Sequence, residues 1–135
     1  MSVNAGAGND TVVGGDGDDT ISGGKGDDRL TGGKGADTFV VSGSNLVPAD
    51  VDKIVDFKVG EDKISFDADT GIVFEASLFV SRSGGRNSLG SEKFIYDSKT
   101  GNLFYDADAS GSTGAMLVAS FLNKPILLSA GDFIA

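Results

Sequence analysis

The chain of 135 residues has no cysteine, no histidine and no tryptophan. Without Cys it gains nothing from disulfides, and cysteine usage says nothing about redox compartment. Without His there is no imidazole acid–base chemistry, no His metal ligand and no HExxH site. No GxSxG elbow and no Cys nucleophile occur either, so the common hydrolase signatures are excluded and the chain is expected to be catalytically inert. No apolar run approaches the ~18 residues of a spanning helix. Positive charge is scarce: 11 Lys and Arg stand against 20 Asp and Glu, a formal net charge of −9. That balance argues against a nucleic acid or an anionic membrane as partner and suits a binder of cations. Met1 to Gly8 holds neither the basic region nor the apolar segment of a cleavable signal. The chain opens inside a repeat, which predicts a longer parent.

Glycine is abundant instead. There are 21, about twice the ordinary ~7% share, and 11 of them precede residue 41. They fall in a strict period: AGAGNDTVV, GGDGDDTIS, GGKGDDRLT and GGKGADTFV run without a gap from Ala5 to Val40. Positions 2 and 4 are always Gly, position 6 always Asp and position 8 always apolar. Internal periodicity of this kind dictates architecture. The six residues GGxGxD are turn chemistry, because Gly accepts the positive φ that tight reversals need. The next three form a very short strand whose one apolar residue points inward: Val12, Ile21, Leu30 and Phe39. Each nonapeptide is then half a coil, and two make one coil of a right-handed parallel β-roll.

Such a core is thin. One apolar side chain per nine residues returns less than ordering nine residues costs, so another interaction must hold the coils. The Asp residues can supply it. Turns on one side stack at about 4.8 Å, as neighbouring strands do. A cation midway between two turns lies about 2.4 Å from oxygens of each, within the calcium range and beyond that of magnesium. Asp10 faces Asp28 on one side, and Asp19 faces Asp37 on the other. Carbonyls at the glycine positions (Gly6, Gly8, Gly14, Gly15, Gly17, Gly23, Gly24, Gly26, Gly32, Gly33 and Gly35) complete an all-oxygen shell. Hard oxygen ligands exclude a soft metal. Four regular turns imply two Ca2+ ions.

The motif GGxGxDxUx, as in GGDGDDTIS and GGKGDDRLT, resembles the RTX (repeat-in-toxin) calcium-binding nonapeptide of hemolysin-type proteins. The first copy departs at position 1, where Ala5 replaces Gly; a carbonyl ligand survives that change. Beyond Val40 the period stops, but the D-x-U-x strand signature recurs at Asp52-Lys-Ile-Val and Asp62-Lys-Ile-Ser. Two further half-coils with longer turns, Ser42 to Val51 and Lys58 to Glu61, would stack Asp52 over Asp28 and Asp62 over Asp37. These are either additional calcium contacts or ordinary carboxylates at strand starts. The stretch DVDKIVDFKVGEDKISF also resembles the segment after the nonapeptides in secreted serralysin-type proteases, with Ile54, Phe57, Ile64 and Phe66 widening the core.

The expected organisation is all-β: a calcium-binding roll over residues 1–66, then an antiparallel, β-sandwich-like C-terminal part over 67–135. Ile72 to Val80 reads as strand or short helix, and Ser81 to Ser91 as a loop carrying Arg82 and Arg86. Phe94–Asp97 and Asn102–Tyr105 flank Ser98-Lys-Thr-Gly, a hairpin signal. A further strand is expected near Ala115–Leu122 and a last one near Ile126–Leu128. The turn DADASGSTG partly matches a calcium loop at Asp106, Asp108, Ser110 and Gly111. Leu117 stands where the bidentate acid is needed, so a polar turn is the better reading. The ending Asp132-Phe-Ile-Ala resembles the uncleaved export signal of type I secreted proteins, or is an edge strand.

The resemblance implies a secreted, extracellular calcium-binding module from a Gram-negative bacterium, monomeric, whose partners are calcium ions and a type I secretion ABC transporter. The module is expected to stay unfolded until calcium is met outside the cell. The other reading is a calcium-dependent polysaccharide-binding or adhesive module, like the RTX modules attached to alginate epimerases.

Overall fold

The computed structural model describes residues 1–41, 51–67, 70, 72–84, 92–106 and 115–134. Short strands alternate between two walls. One wall holds β1 (Ser2–Asn4), β3 (Thr20–Ser22), β5 (Thr38–Val41) and β7 (Lys63–Phe66) in that order. The other holds β2 (Thr11–Asp16), β4 (Arg29–Lys34) and β6 (Asp52–Ile54). Pairing within each wall is parallel throughout, as in Thr11 with Arg29 and Thr20 with Thr38. This is the roll expected from the nonapeptide period.

The coil length changes along the roll. Equivalent positions lie 18 residues apart in the regular part. They lie 24 and 25 apart where Asp28 meets Asp52 and Asp37 meets Asp62. Longer turns absorb the difference while the strands keep register: Leu30 pairs Ile54, and Phe39 pairs Ile64. The apolar position 8 of every copy is inside, with Val12, Ile21, Leu30 and Phe39 buried in a column continued by Ile54 and Ile64.

Residues 1–4 follow the same period, which the sequence reading did not register. Val3 pairs Ile21 in the register that Ile21 holds with Phe39. Met1-Ser-Val-Asn therefore occupies the D-x-U-x position with Met in place of Asp.

The second half lengthens one wall. After β6 come β11 (Met116–Phe121), β10 (Asn102–Tyr105), β9 (Phe94–Asp97) and β8 (Phe79–Arg82), giving a seven-stranded sheet. The hairpin β9–β10 forms as expected around residues 98–101, and β11 pairs antiparallel with β10. The two outer junctions are parallel instead: β11 with β6, and β8 with β9. Phe57 joins the halves, its ring 6.0 Å from Phe39 and 5.2 Å from Phe121. Phe74, Phe79, Phe94 and Phe133 form a second aromatic group on the same core.

Two expectations are corrected. Ile72 to Val80 is neither one strand nor one helix: a 3₁₀ turn over Ala76–Leu78 leads into β8. No strand forms at Ile126–Leu128. Ile126 and Leu127 sit in a turn, each 77% exposed, after Lys124 at φ 48 and Pro125. Proline lacks the N–H that a strand would use. The chain returns to the sheet later, where Phe133 bridges Ile64. Arg86, Asp108, Ser110 and Gly111 lie outside the described residues, as do residues 42–50 of the turn that ends at Val51.

Candidate metal centre

The glycine positions have two separate causes. Positions 2 and 4 carry positive φ in every copy, from 96° at Gly24 to 117° at Gly26. Position 1 is glycine for room. A Cβ on Gly14 would lie 2.6 Å from Asp19 Oδ2 and 2.7 Å from the carbonyl oxygen of Gly32. At Gly23 and Gly32 it would strike the carboxylates of Asp28 and Asp37. The turns that start at Gly14, Gly23 and Gly32 thus fold their own Asp over the first glycine, leaving a small cradle of oxygens that a methyl group would fill; the first turn has Ala5 there.

The Asp residues form two columns. In the first, the Asp10 N–H donates to Asp28 Oδ1 at 2.7 Å, and the Asp28 N–H to Asp52 Oδ1 at 3.3 Å. In the second, the Asp19 N–H donates to Asp37 Oδ1 at 2.9 Å, and the Asp37 N–H to Asp62 Oδ1 at 2.9 Å. The Met1 ammonium lies 2.9 Å from Asp19 Oδ1, taking the place of a preceding N–H. The structure therefore brings together both pairs expected from the spacing and the two expected from the D-x-U-x strand signature.

One carboxylate oxygen of Asp19, Asp28 and Asp37 is spent on that ladder, whereas Asp10, at its start, contributes only its N–H. Oδ2 of Asp10, Asp19, Asp28 and Asp37 is buried and lacks any hydrogen-bond partner. Among the described residues these are the only buried carboxylate oxygens in that state. A buried, unpartnered carboxylate oxygen carries a heavy desolvation cost that a cation removes. No three acidic side chains converge among the described residues. Two carboxylates with backbone carbonyls are the donor set on offer, and hard oxygens of this kind fit calcium.

Electrostatics agrees. Asp52 is pushed up to about 8, first by burial and then by the charge of Asp28. Burial also raises Asp28 and Asp37, and the N–H bonds they accept only partly offset it. Asp62 is raised by burial as well, but the Lys58 charge and two backbone N–H groups pull against that.

A second ladder was missed. Position 5 accepts in the opposite direction: Asn9 Oδ1 from the Asp27 N–H at 3.0 Å, Asp18 Oδ1 from the Ala36 N–H at 2.8 Å, and Asp27 Oδ1 from the Val51 N–H at 2.8 Å. Its signal was the run Asn, Asp, Asp at position 5, which reads as ordinary turn composition. Asp56 was missed too. It accepts from Gly32 and Gly33 N–H at 2.8 and 2.9 Å.

A family model described as the RTX calcium-binding nonapeptide repeat, in four copies, matches residues 4–39. No curated protein matches the chain. Among solved structures, the chain is similar to the solution structure of the AlgE6R3 subunit from the Azotobacter vinelandii mannuronan C5-epimerase. Identity is 26%, the match covers 98% of this chain and 71% of that one, and the TM-score is 0.59. The stacked turns, the free carboxylate oxygens and the matched repeat agree: residues 4–39 carry four RTX calcium-binding nonapeptide repeats, within a β-roll similar to that of the epimerase subunit.

Proposed function

We propose that this chain is a calcium-dependent folding module in which Asp10, Asp28, Asp19 and Asp37, with carbonyls of the glycine turns, hold the ions. The observation that carries this is the set of four buried Oδ2 atoms without partners. Stacked carboxylates oppose folding until a dication lies between them, so binding free energy becomes folding free energy. Sites of the extracellular class, at roughly 10⁻⁴–10⁻³ M, stay empty in a cell and fill outside it. The chain then remains threadable for a type I transporter and folds after export as a secreted protein. The roll over 1–66 is the switch, and 67–135 the part that follows it. Catalysis, if the parent has any, lies in another domain.

Small-angle scattering tests the coupling. The radius of gyration should be about 14 Å in calcium and move toward about 38 Å in chelator. A radius unchanged by chelator would contradict it. For export, the proposed signal is the C-terminal ending Asp132-Phe-Ile-Ala. Removing residues 129–135 should abolish secretion of a fused parent, read as protein in the medium; undiminished secretion removes that assignment.

A second reading rests on the 26% identity to a subunit of a mannuronan epimerase. Here bound calcium would bridge to uronates of an acidic polysaccharide. Calorimetry with alginate oligomers at fixed calcium decides it: heat of binding supports the reading, and none rejects it.

A further inference from the structure

The second turn column ends differently from how it begins. In the regular part, a position 2 carbonyl points up to the next coil, where Gly6 O accepts the Lys25 N–H at 2.8 Å. Strand β4 runs on through Gly32 and Gly33, but β6 reaches only Arg29 and Leu30. On the β6 side Gly32 and Gly33 therefore face no strand, although Gly33 pairs Gly15 of β2 on the other side. Two side chains stand in. Asp56 accepts both N–H groups at 2.8 and 2.9 Å, and Lys58 Nζ donates to Gly33 O at 2.7 Å.

Asp62 is also unlike its counterparts. Its Oδ1 accepts the Asp37 N–H at 2.9 Å, and its Oδ2 accepts the Lys58 N–H at 2.8 Å. Both oxygens are engaged, whereas Asp19 and Asp37 each keep Oδ2 free. Position 5 of the last copy is Ala36, which offers no acceptor to a further turn. Three independent features thus close the column at one level, and one of them is a cation already in place.

We infer that Asp56 and Lys58 form a metal-free cap on the turn Gly32–Asp37, and that Asp62 is a turn-closing acceptor and not a calcium ligand. The Lys58 ammonium repels a dication from the level above Asp37, and Asp62 has no free oxygen to offer one. The column then holds an ion between Asp19 and Asp37 and none between Asp37 and Asp62. This rests on the calcium reading above and narrows its ligand set.

Native mass spectrometry in saturating calcium tests it by counting ions on the full chain. Asp37→Asn should bind one ion fewer than the parent, while Asp62→Asn should bind the same number. Loss of an ion in Asp62→Asn overturns the cap. Equal counts in the parent and Asp37→Asn would instead overturn the calcium reading itself, so the two failures are distinct. A measurement on the unaltered protein covers the case in which Asp62→Asn does not fold. With calcium bound, acylation of Lys58 should run roughly tenfold or more slower than that of Lys34, because its ammonium is held until the turn opens. Lys34 is 83% exposed and sets the unprotected rate. Equal rates would mean that calcium has expelled the ammonium, and would overturn the proposal.

Discussion

At the residue scale, a methyl group separates a working turn from a blocked one. Gly14 has Asp19 Oδ2 and Gly32 O on either side of its missing Cβ. Gly14→Ala overpacks that cradle, at about 1–3 kcal/mol, and should raise the calcium concentration for half-folding roughly tenfold. A titration followed by circular dichroism checks this. Gly8→Ala meets nothing within 4 Å and is penalised only by its φ of 112°, a strain of about 1–3 kcal/mol. Asp52 makes a second residue-scale prediction. Its folded value of about 8 lies well above the ordinary aspartate value of 3.8. A carboxylate raised on folding stabilises the fold below its unfolded value, and that contribution is lost as pH rises through 8. Asp28, Asp37 and Asp62 shift in the same direction. In chelator, the chain should therefore hold more β structure at pH 5 than at pH 8, read by far-UV circular dichroism. The opposite order would show that burial of these carboxylates does not govern the metal-free state.

At the element scale, one ring bridges roll and sheet beside the β6–β11 pairing. Phe57 is 2% exposed and touches both Phe39 and Phe121. Phe57→Ala should cost about 3–5 kcal/mol in urea unfolding at saturating calcium. Val59→Ala nearby, at a side chain 38% exposed, should stay within about 0.5 kcal/mol. Elements also show what a sequence can reveal. The strands at Val12, Ile21, Leu30 and Phe39 were legible because one apolar residue recurs at a fixed period. The hairpin at residues 94–105 was legible because its turn residues are local. The parallel pairing of Asp52–Ile54 with Ala119–Phe121 was not, since contacts between distant segments leave no local pattern. Ile126 and Leu127 misled because composition does not reveal that a preceding proline turns them outward. Two of the Asp pairs could be placed from the fixed spacing, and the stacking of Asp52 and Asp62 from the recurring D-x-U-x strand signature. The cap at Asp56 and Lys58 could not, because it lies in an irregular turn where Asp and Lys have many ordinary uses.

At the scale of the whole molecule, the roll and the sheet beside it share one core, but the roll is the part proposed to need an ion. Its single-file column of apolar residues is enclosed by two ladders of Asp, and the charges of those ladders oppose the fold they line. The sheet from β8 to β11 has a richer core, with Phe94, Tyr96, Leu103 and Phe121 buried. Yet it joins the roll through β6, which is itself a coil of the roll. Loss of the roll should therefore unsettle the sheet as well, and calcium should fold both together. Far-UV circular dichroism across a calcium titration, started in chelator, tests this most directly. The account predicts a spectrum of a disordered chain without calcium and one cooperative rise to a β spectrum as calcium is added. A full β spectrum in chelator, unchanged by calcium, would contradict it.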